Sequence, residues 1–87
     1  MQPDLFEGVE AYNQRDYTKA YEVFIHLATY YRNAEAQYYL GMMYRDGDGV
    51  ESNLDTAITW WKKATREGHQ DAAYAMSEFK TSTKTMF

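Results

Sequence analysis

The 87-residue sequence contains no cysteine, and this absence excludes several kinds of chemistry. Without thiols the chain forms no disulfide, has no thiolate nucleophile and cannot build a zinc site with thiolate ligands. Basic residues are not in excess either: the net charge is −4, and the only adjacent basic pair is Lys62-Lys63. Because nucleic acids and anionic membrane surfaces both attract clustered positive charge, neither is an expected partner.

Long apolar runs are missing as well. No stretch approaches the roughly 20 apolar residues that a transmembrane helix needs, so we expect no membrane insertion. No signal peptide is visible at the N terminus. The first residues, MQPD, fit a native start and also fit an initiator methionine placed where a signal peptide was removed, so both interpretations remain open.

Proline is nearly absent, and helical patterns occupy most of the chain. The single proline, Pro3, can open a first helix without loss of a hydrogen bond. Alternation with a period of two never persists, which argues against strands. Apolar residues recur at helical spacing in five segments, at residues 5–12, 20–31, 36–44, 54–64 and 72–79. The pattern predicts an all-α fold of five helices.

Residues that start and stop helices stand between these segments. Asp16 and Asn33 can cap the second and third helices, because their side chains accept hydrogen bonds from free backbone N–H groups. Ser52 and Asn53 compete for this role at the fourth helix. Gly68 follows a basic turn, as expected of a left-handed residue just past a helix end. The connections between the predicted helices are therefore short.

The segment DGDGV, residues 46–50, raises the question of an ion or phosphate site. An EF-hand loop starting at its first aspartate needs oxygen ligands where this chain has Val50 and Ala57. A phosphate loop needs a lysine after its second glycine, and none follows. We interpret the segment as a turn in which Gly47 ends the third helix, Gly49 takes a second positive φ and Val50 packs beneath the helices.

The chain also repeats itself at a spacing of 36 residues. NAEAQYYLG aligns with HQDAAYAMS, so that Ala36 falls on Ala72 and Tyr38 falls on Tyr74. The first half carries a weaker form of the same alternation of large and small apolar residues. A period in the thirties with two helices per unit predicts an α-solenoid.

Residues 34–72 resemble a Sel-1-like repeat. The matching signature positions are Ala36, Leu40, Gly41, Tyr44, Gly47, Gly49, Val50, Ala57, Trp60, Ala64, Gly68 and Ala72. Asn53 and Thr65 depart from it, since the family often has aspartate and alanine there. The opening segment resembles the related tetratricopeptide repeat at Gly8, Tyr12, Asp16, Tyr17, Ala20 and Phe24. Arg15 stands where that repeat usually has glycine.

These resemblances imply a right-handed superhelix of antiparallel helix pairs. We predict a single domain over residues 1–80. It would comprise a tetratricopeptide-like first unit at 4–32, a full Sel-1-like repeat at 33–68 and a capping helix at 70–80. Residues 81–87 are predicted to form a flexible tail.

Two features of the repeat have a packing interpretation. Gly41 lies within a helix, where glycine costs about 0.5–1 kcal/mol relative to alanine, so close approach of the paired helix is the expected gain. Trp60 and Tyr44 are then expected to fill the space between the paired helices. Trp61 is also expected to pack between helices or between repeats. The alternative for Trp60-Trp61 is a platform on which a sugar or base stacks.

No constellation of residues points to catalysis. His26 and His69 share no motif and are interpreted as ordinary surface histidines. The serines lack a nucleophile elbow. Four carboxylates could pair for acid–base catalysis, but no motif singles them out: Glu35, Glu51, Asp55 and Asp71. We therefore predict no enzyme, no cofactor and no metal site.

The resemblance places binding in the concave groove that the first helix of each pair lines. The candidate partner-binding residues are Val9, Asn13, Glu35, Tyr38, Met42, Arg45, Tyr74 and Glu78. Tyr38 and Tyr74 would form an exposed aromatic ladder, beside Met42 as an adaptable apolar contact and Arg45 as an anchor for a carboxylate. Packing of the two tyrosines between repeats is the alternative.

The implied function is non-catalytic protein–protein interaction, in which a small adaptor or scaffold holds a peptide or a partner protein. A receptor for a glycan or cell-wall fragment, stacking on Tyr38, Tyr74 and Trp61, is the alternative, and an enzyme is the third hypothesis. Weak homodimerisation through an exposed end of the solenoid is a further hypothesis. The resemblance also leads us to expect a bacterial protein, in the periplasm if a signal peptide was removed and otherwise in the cytoplasm.

Overall fold

The computed structural model describes residues 4–84 of the chain, with side chains up to Phe79, and shows five helices and no strand in that range. The helices are α1 (Leu5–Asn13), α2 (Tyr17–Tyr30), α3 (Ala34–Asp46), α4 (Leu54–Arg66) and α5 (Gln70–Lys84). Each helix packs chiefly against the next one along the chain. The predicted all-α class and the number of helices are confirmed.

The polar residues before the helices act as caps. The side chains of Asp16 and Asn33 accept hydrogen bonds from backbone N–H groups in the first turns of α2 and α3, as predicted. At α4 the cap is Asn53, which accepts from the N–H of Thr56 at 3.0 Å. Ser52 instead donates its hydroxyl to a backbone carbonyl at the end of α3. Hydrogen-bond geometry thus resolves the competition at the fourth helix.

A capping box, which is not among the features predicted from the sequence, begins α1. Asp4 and Glu7 form a capping box, in which each side chain accepts from the other residue's backbone N–H. Pro3, which is expected to be able to open this helix, lies outside the described residues. Two carboxylates near the positive end of the helix dipole suit this position.

The turns have the predicted conformations. Gly47, Gly49 and Gly68 have φ values of 74°, 75° and 96°. Arg15, in the link between α1 and α2, also has a positive φ of 65°. Non-glycine residues rarely adopt this region, which explains why glycine is usual here in the tetratricopeptide repeat. The short link closes at the expense of some backbone strain.

The last helix is longer than the sequence led us to expect. We placed its end at residue 80, and α5 continues to Lys84. The intervening residues include no glycine or proline, so nothing in the local sequence stops the helix. The rest of the predicted tail, residues 85–87, lies outside the described residues.

Two apolar clusters form the core, and α3 contributes to both. The first core consists of Ala11, Ala20, Val23, Phe24, Leu27, Ala28, Ala36, Leu40 and Met43. The second core consists of Ala57, Trp61, Ala64, Ala72 and Ala75. From α3, Tyr38, Met42 and Tyr44 pack against the second core, so this helix joins the two units.

The large ring between α3 and α4 is Trp61 and not Trp60, which corrects our expectation. Trp61 is fully buried, and its Nε1 donates to the Tyr38 carbonyl at 3.2 Å. A methyl group at Gly41 would overlap the Trp61 indole, so the glycine is needed for this contact. Trp60 is half-buried and packs against the first core. Trp60 and Trp61 lie on either side of the stripe of Ala57 and Ala64, three and four residues after Ala57, so helical spacing does not separate them. The contact with Gly41 and α3 determines which ring is buried.

Candidate functional site

A row of five aromatic rings extends from the first unit to the start of α5. In order of contact, the rings are those of Tyr17, Tyr12, Tyr39, Tyr38 and His69. Neighbouring ring centroids lie 5.7, 5.2, 5.8 and 4.7 Å apart. All five residues are half-buried, so each ring combines packing with access to solvent. We call this set the aromatic row.

The middle of the row connects α1 with α3. Tyr12 on α1 and Tyr39 on α3 meet edge to face, with an interplanar angle of 68°. Beneath them Phe24, which is fully buried, stacks on Tyr39 at 4.9 Å and 11°. Because α1 and α3 are the first helices of successive pairs, these rings connect the two units. The packed support holds them in fixed positions.

His69 fixes the end of the row through three separate contacts. Its ring stacks on Tyr38 with an interplanar angle of 22°. Its Nδ1 accepts from the N–H of Ala72 at 3.1 Å, so the imidazole caps α5. Its Nε2 lies 2.6 Å from a carboxylate oxygen of Glu35 on α3. Since Nδ1 is an acceptor, the ring proton is on Nε2 and is donated to Glu35.

This environment corrects the interpretation of His69 as an ordinary surface histidine. Only 12% of its side chain is exposed. Its role was missed because capping is expected of Ser, Thr, Asp and Asn, and the bond to Glu35 joins residues 34 positions apart. The other histidine, His26, is half-buried near the rings of Tyr30 and Tyr31.

Charged groups surround the row, and Arg45 is already paired. Its guanidinium donates to both carboxylate oxygens of Asp46, at 2.8 and 3.0 Å, and lies 5.9 Å from the centre of the Trp61 ring. A ligand carboxylate at Arg45 would therefore share this cation with Asp46. The groups close enough to affect the tyrosines electrostatically are mostly acidic, namely Glu35, Asp46, Asp48, Asp71 and Glu78.

Three phenols of the row, those of Tyr12, Tyr38 and Tyr39, have a raised pKa. Burial raises the pKa of Tyr12 to about 12, and the nearby carboxylates of Asp48 and Asp46 act in the same direction. Burial also raises the pKa of Tyr38 and of Tyr39. At neutral pH each of these hydroxyls keeps its proton, so the row offers hydrogen-bond donors as well as apolar ring faces.

The remaining predicted residues occupy varied positions. Val9 and Met42 are half-buried against the first and second cores. Asn13 and Glu78 are exposed, and Tyr74 is 70% exposed on α5.

The ring partners of Tyr38 among the described residues are Tyr39 and His69, so the aromatic ladder follows a different course from the predicted one through Tyr74. Tyr12, Tyr17 and Tyr39 were not among the predicted site residues, and only the high tyrosine content hinted at them.

The arrangement does not resemble a catalytic or metal centre. No group of three or more His, Asp or Glu side chains within residues 4–79 is placed to hold a metal ion. Both ring nitrogens of His69 are engaged in hydrogen bonds, which leaves neither free to act as a general base. In the described part of the chain, no helix combines the length and the apolar character required to cross a bilayer.

Comparison with known proteins identifies one match. The family model for the Sel1 repeat matches residues 34–69, which comprise α3, α4 and the turn that leads to His69. Neither the curated proteins nor the solved structures contain a match to the chain. The matched range includes three of the five rings of the aromatic row, those of Tyr38, Tyr39 and His69.

Proposed function

Residues 34–69 are a Sel1 repeat, a helical module that generally mediates protein–protein interaction, and on that premise we propose that the aromatic row is the partner-binding surface of a small adaptor. The partner would be a peptide segment or an exposed stretch of a folded protein. The observation that carries this proposal is the continuous row of five half-buried rings across the two units.

The chemistry of the row suits a protein partner. Tyrosine is enriched at interfaces because its ring supplies apolar area and its hydroxyl supplies a directed hydrogen bond. The rings are already held by Phe24 and by the bonds of His69, so little conformational entropy would be lost on binding. A preorganised surface of this kind can bind a short segment with useful affinity.

The surrounding charge indicates which segments would fit best. Among the described residues, the charges that act on Tyr12, Tyr38 and Tyr39 are five carboxylates and the guanidinium of Arg45, which is paired with Asp46. Complementary charge speeds association and disfavours wrong partners. We therefore expect the row to prefer a segment that combines apolar side chains with lysine or arginine.

A displayed random-peptide library offers a direct test. Peptides selected on the wild-type protein would be measured by calorimetry, and their site would be mapped by amide NMR shifts. Binding should move signals of Tyr12, Tyr38, Tyr39 and His69. The variant Tyr38→Ala should bind at least about tenfold more weakly, which corresponds to 1.4 kcal/mol. Tyr30→Ala is the matched control, because Tyr30 is 74% exposed and lies outside the row.

Two results would contradict the proposal. One is a set of selected peptides that bind wild type and Tyr38→Ala equally while both proteins keep their helical circular dichroism. The other is a pattern of NMR shifts that leaves the row unaffected. The library should also show enrichment of basic residues, and selection of acidic peptides at the row would contradict the expected charge preference.

The glycan alternative loses one of its three rings. Trp61 is fully buried and so cannot stack on a sugar without unfolding of the helix pair. Self-association remains a prediction with its own observation: Phe6 on α1 and Tyr74 on α5 are each 70% exposed. Light scattering during size-exclusion chromatography would test it, and a monomer at high concentration would remove it.

A further inference from the structure

A second concave site lies between α2 and α4, the second helices of the two units, with α3 at its base. This cleft has a volume of about 330 Å³. The lining residues that matter for its chemistry are Arg32, Gln37, Trp60, Lys63, Arg66 and Glu67. None of them belongs to the aromatic row. The volume is at the lower end of the roughly 300–1,000 Å³ typical of ligand pockets.

The cleft concentrates positive charge in an acidic protein. Three of the nine basic residues line it, with one carboxylate, although the chain carries a net charge of −4. Within residues 4–79, Arg32, Lys63 and Arg66 form no salt bridge. Lys63 places its ammonium 5.9 Å from the centre of the Trp60 ring. Cations that line a cleft without partners produce a local field that attracts an anion.

Gln37, which lines the same cleft, has a buried and unsatisfied acceptor. This residue is only 2% exposed, and its Nε2 makes a long hydrogen bond of 3.5 Å to the Ala28 carbonyl. Its Oε1 has no hydrogen-bond partner among the described residues. If the amide were rotated by 180°, Oε1 of Gln37 would face the Ala28 carbonyl oxygen, and two acceptors would meet. The orientation with Nε2 towards that carbonyl is therefore favoured. Buried polar atoms are normally paired, and an N–H donor in the cleft would satisfy this one.

We propose that this cleft binds a peptide carboxylate together with the amide next to it. Arg32, Lys63 and Arg66 would hold the carboxylate, and the neighbouring N–H would donate to Oε1 of Gln37. The ring of Trp60 would contact the apolar part of the ligand. Two sources carry this chemistry: the C-terminal carboxylate of a chain and the side chain of an internal aspartate or glutamate.

The combination of groups distinguishes this ligand from other anions. Inorganic phosphate and acetate would engage the cations but would leave Oε1 of Gln37 without a donor. A nucleic-acid backbone also lacks an N–H beside its phosphates. Only a ligand with an anion and an N–H donor in neighbouring positions satisfies both parts of the cleft. This site would act independently of the aromatic row.

The test is an NMR titration of the ¹⁵N-labelled chain with three small peptides. Acetyl-Ala-Ala-Ala with a free carboxylate presents the chain end, and acetyl-Ala-Ala-Glu-amide presents a side-chain carboxylate. Acetyl-Ala-Ala-Ala-amide has neither. The indole N–H of Trp60 and the side-chain amide of Gln37 report on the cleft. The indole N–H of Trp61, which is buried against Tyr38, is the internal reference, and Trp60→Phe assigns the two indoles.

Charge variants provide the matched comparison. Arg32→Gln and Arg66→Gln should each weaken binding at least about fivefold, because a charge-assisted hydrogen bond is lost. Lys62→Gln removes the same charge beside the cleft but outside its lining, and should leave the affinity unchanged. Gln37→Met removes the acceptor at similar volume and should also weaken binding. If Gln37→Met fails to fold, the comparison of Arg66→Gln with Lys62→Gln still decides the question.

The outcomes separate clearly. Binding of either carboxylate peptide, with shifts at Trp60 and Gln37 and no binding of the amide peptide, would support the site, and the tighter peptide would identify the source. Equal binding of acetyl-Ala-Ala-Ala-amide would overturn it, and so would phosphate or acetate binding as tightly as the peptides. Equal weakening of binding by Lys62→Gln and Arg66→Gln would show that the net charge of the protein, and not the lining of the cleft, determines the affinity. This result would overturn the proposal. No shift at about 10 mM peptide, far above the Kd range of specific sites, would overturn it as well.

Discussion

Trp60 and Trp61 are neighbours in the sequence but lie in different surroundings. Trp61 is enclosed by the second core and donates its N–H to α3, whereas Trp60 lines the cleft beside α2. The resemblance to the repeat directed attention to Trp60, because that position matches the family's aromatic. Burial identifies Trp61 as the residue on which the α3–α4 pair depends.

Truncation should therefore affect the two tryptophans unequally. Trp61→Ala should lower the free energy of unfolding by roughly 3–5 kcal/mol, since it removes a fully buried ring and leaves a cavity. Trp60→Ala should cost distinctly less, because part of that ring already contacts water. Urea unfolding followed by far-UV circular dichroism would measure both. Equal losses would contradict the assignment of Trp61 as the central ring.

Two half-buried tyrosines, Tyr12 and Tyr21, should make stability sensitive to alkaline pH. Burial raises the pKa of Tyr12 and of Tyr21 to about 12, and at Tyr21 a 3.0 Å hydrogen bond to Tyr44 adds to the effect. The folded pKa lies above the ordinary value of 10, so the unfolded chain releases these protons first. The stabilisation is complete below pH 10 and is lost as the pH rises towards 12.

This dependence can be measured by urea unfolding at a series of alkaline pH values. Between pH 10 and about 12 the free energy of unfolding of the wild type should fall. The variant Tyr12→Phe has no proton to release at that position, so its stability should fall less steeply over the same range. Parallel curves for the two proteins would show that Tyr12 does not contribute to the loss.

At the scale of helices, the sequence predicts the features that depend on neighbouring residues in the chain, namely the helix positions and most of the N-caps. The five apolar segments correspond to the five helices, and Asp16 and Asn33 cap as predicted. The cap of α5 was not predictable in the same way. His69 caps that helix while it stacks on Tyr38 and bonds to Glu35, and those partners become neighbours only after the two units stack.

The two adjacent candidates before α4 provide a test of cap assignment. Asn53→Ala should lower the free energy of unfolding by about 1 kcal/mol, because the N–H of Thr56 loses its acceptor. Ser52→Ala removes only an exposed hydroxyl that donates to the Arg45 carbonyl, and should cost less. Thermal or urea unfolding of both variants would give the comparison. A larger loss for Ser52→Ala would reverse the assignment.

At the scale of the whole molecule, the stacking of units creates both proposed sites. The aromatic row combines α1, α2, α3 and the start of α5, and the cleft combines α2, α3 and α4. Periodicity shows which residues of a helix face inward, but it does not show which helices will be neighbours. Tyr12 and Tyr39 were assigned to apolar stripes for this reason, and their solvent-facing edges became visible only in the structure.

The shared helix α3 should make the two units unfold together. Leu40 and Met43 belong to the first core, and Tyr38 and Met42 pack against the second, so neither core keeps its contacts if α3 is lost. Tryptophan fluorescence, which reports largely on α4, and circular dichroism, which reports on all helices, should give one urea midpoint. Two separated midpoints would show that the units unfold independently.

The contact between Gly41 and the Trp61 ring limits the order in which the sequence can change. Alanine at position 41 overlaps the indole as long as Trp61 is present, and a smaller residue at position 61 leaves a void as long as Gly41 is present. Each first step lowers stability, while the second step repairs part of the damage. A double-mutant cycle of Gly41→Ala and Trp61→Phe should therefore show a smaller loss than the sum of the single losses. In a domain of this size, where a few kcal/mol separate folded from unfolded chains, a change at either position should be tolerated better when the other position changes with it.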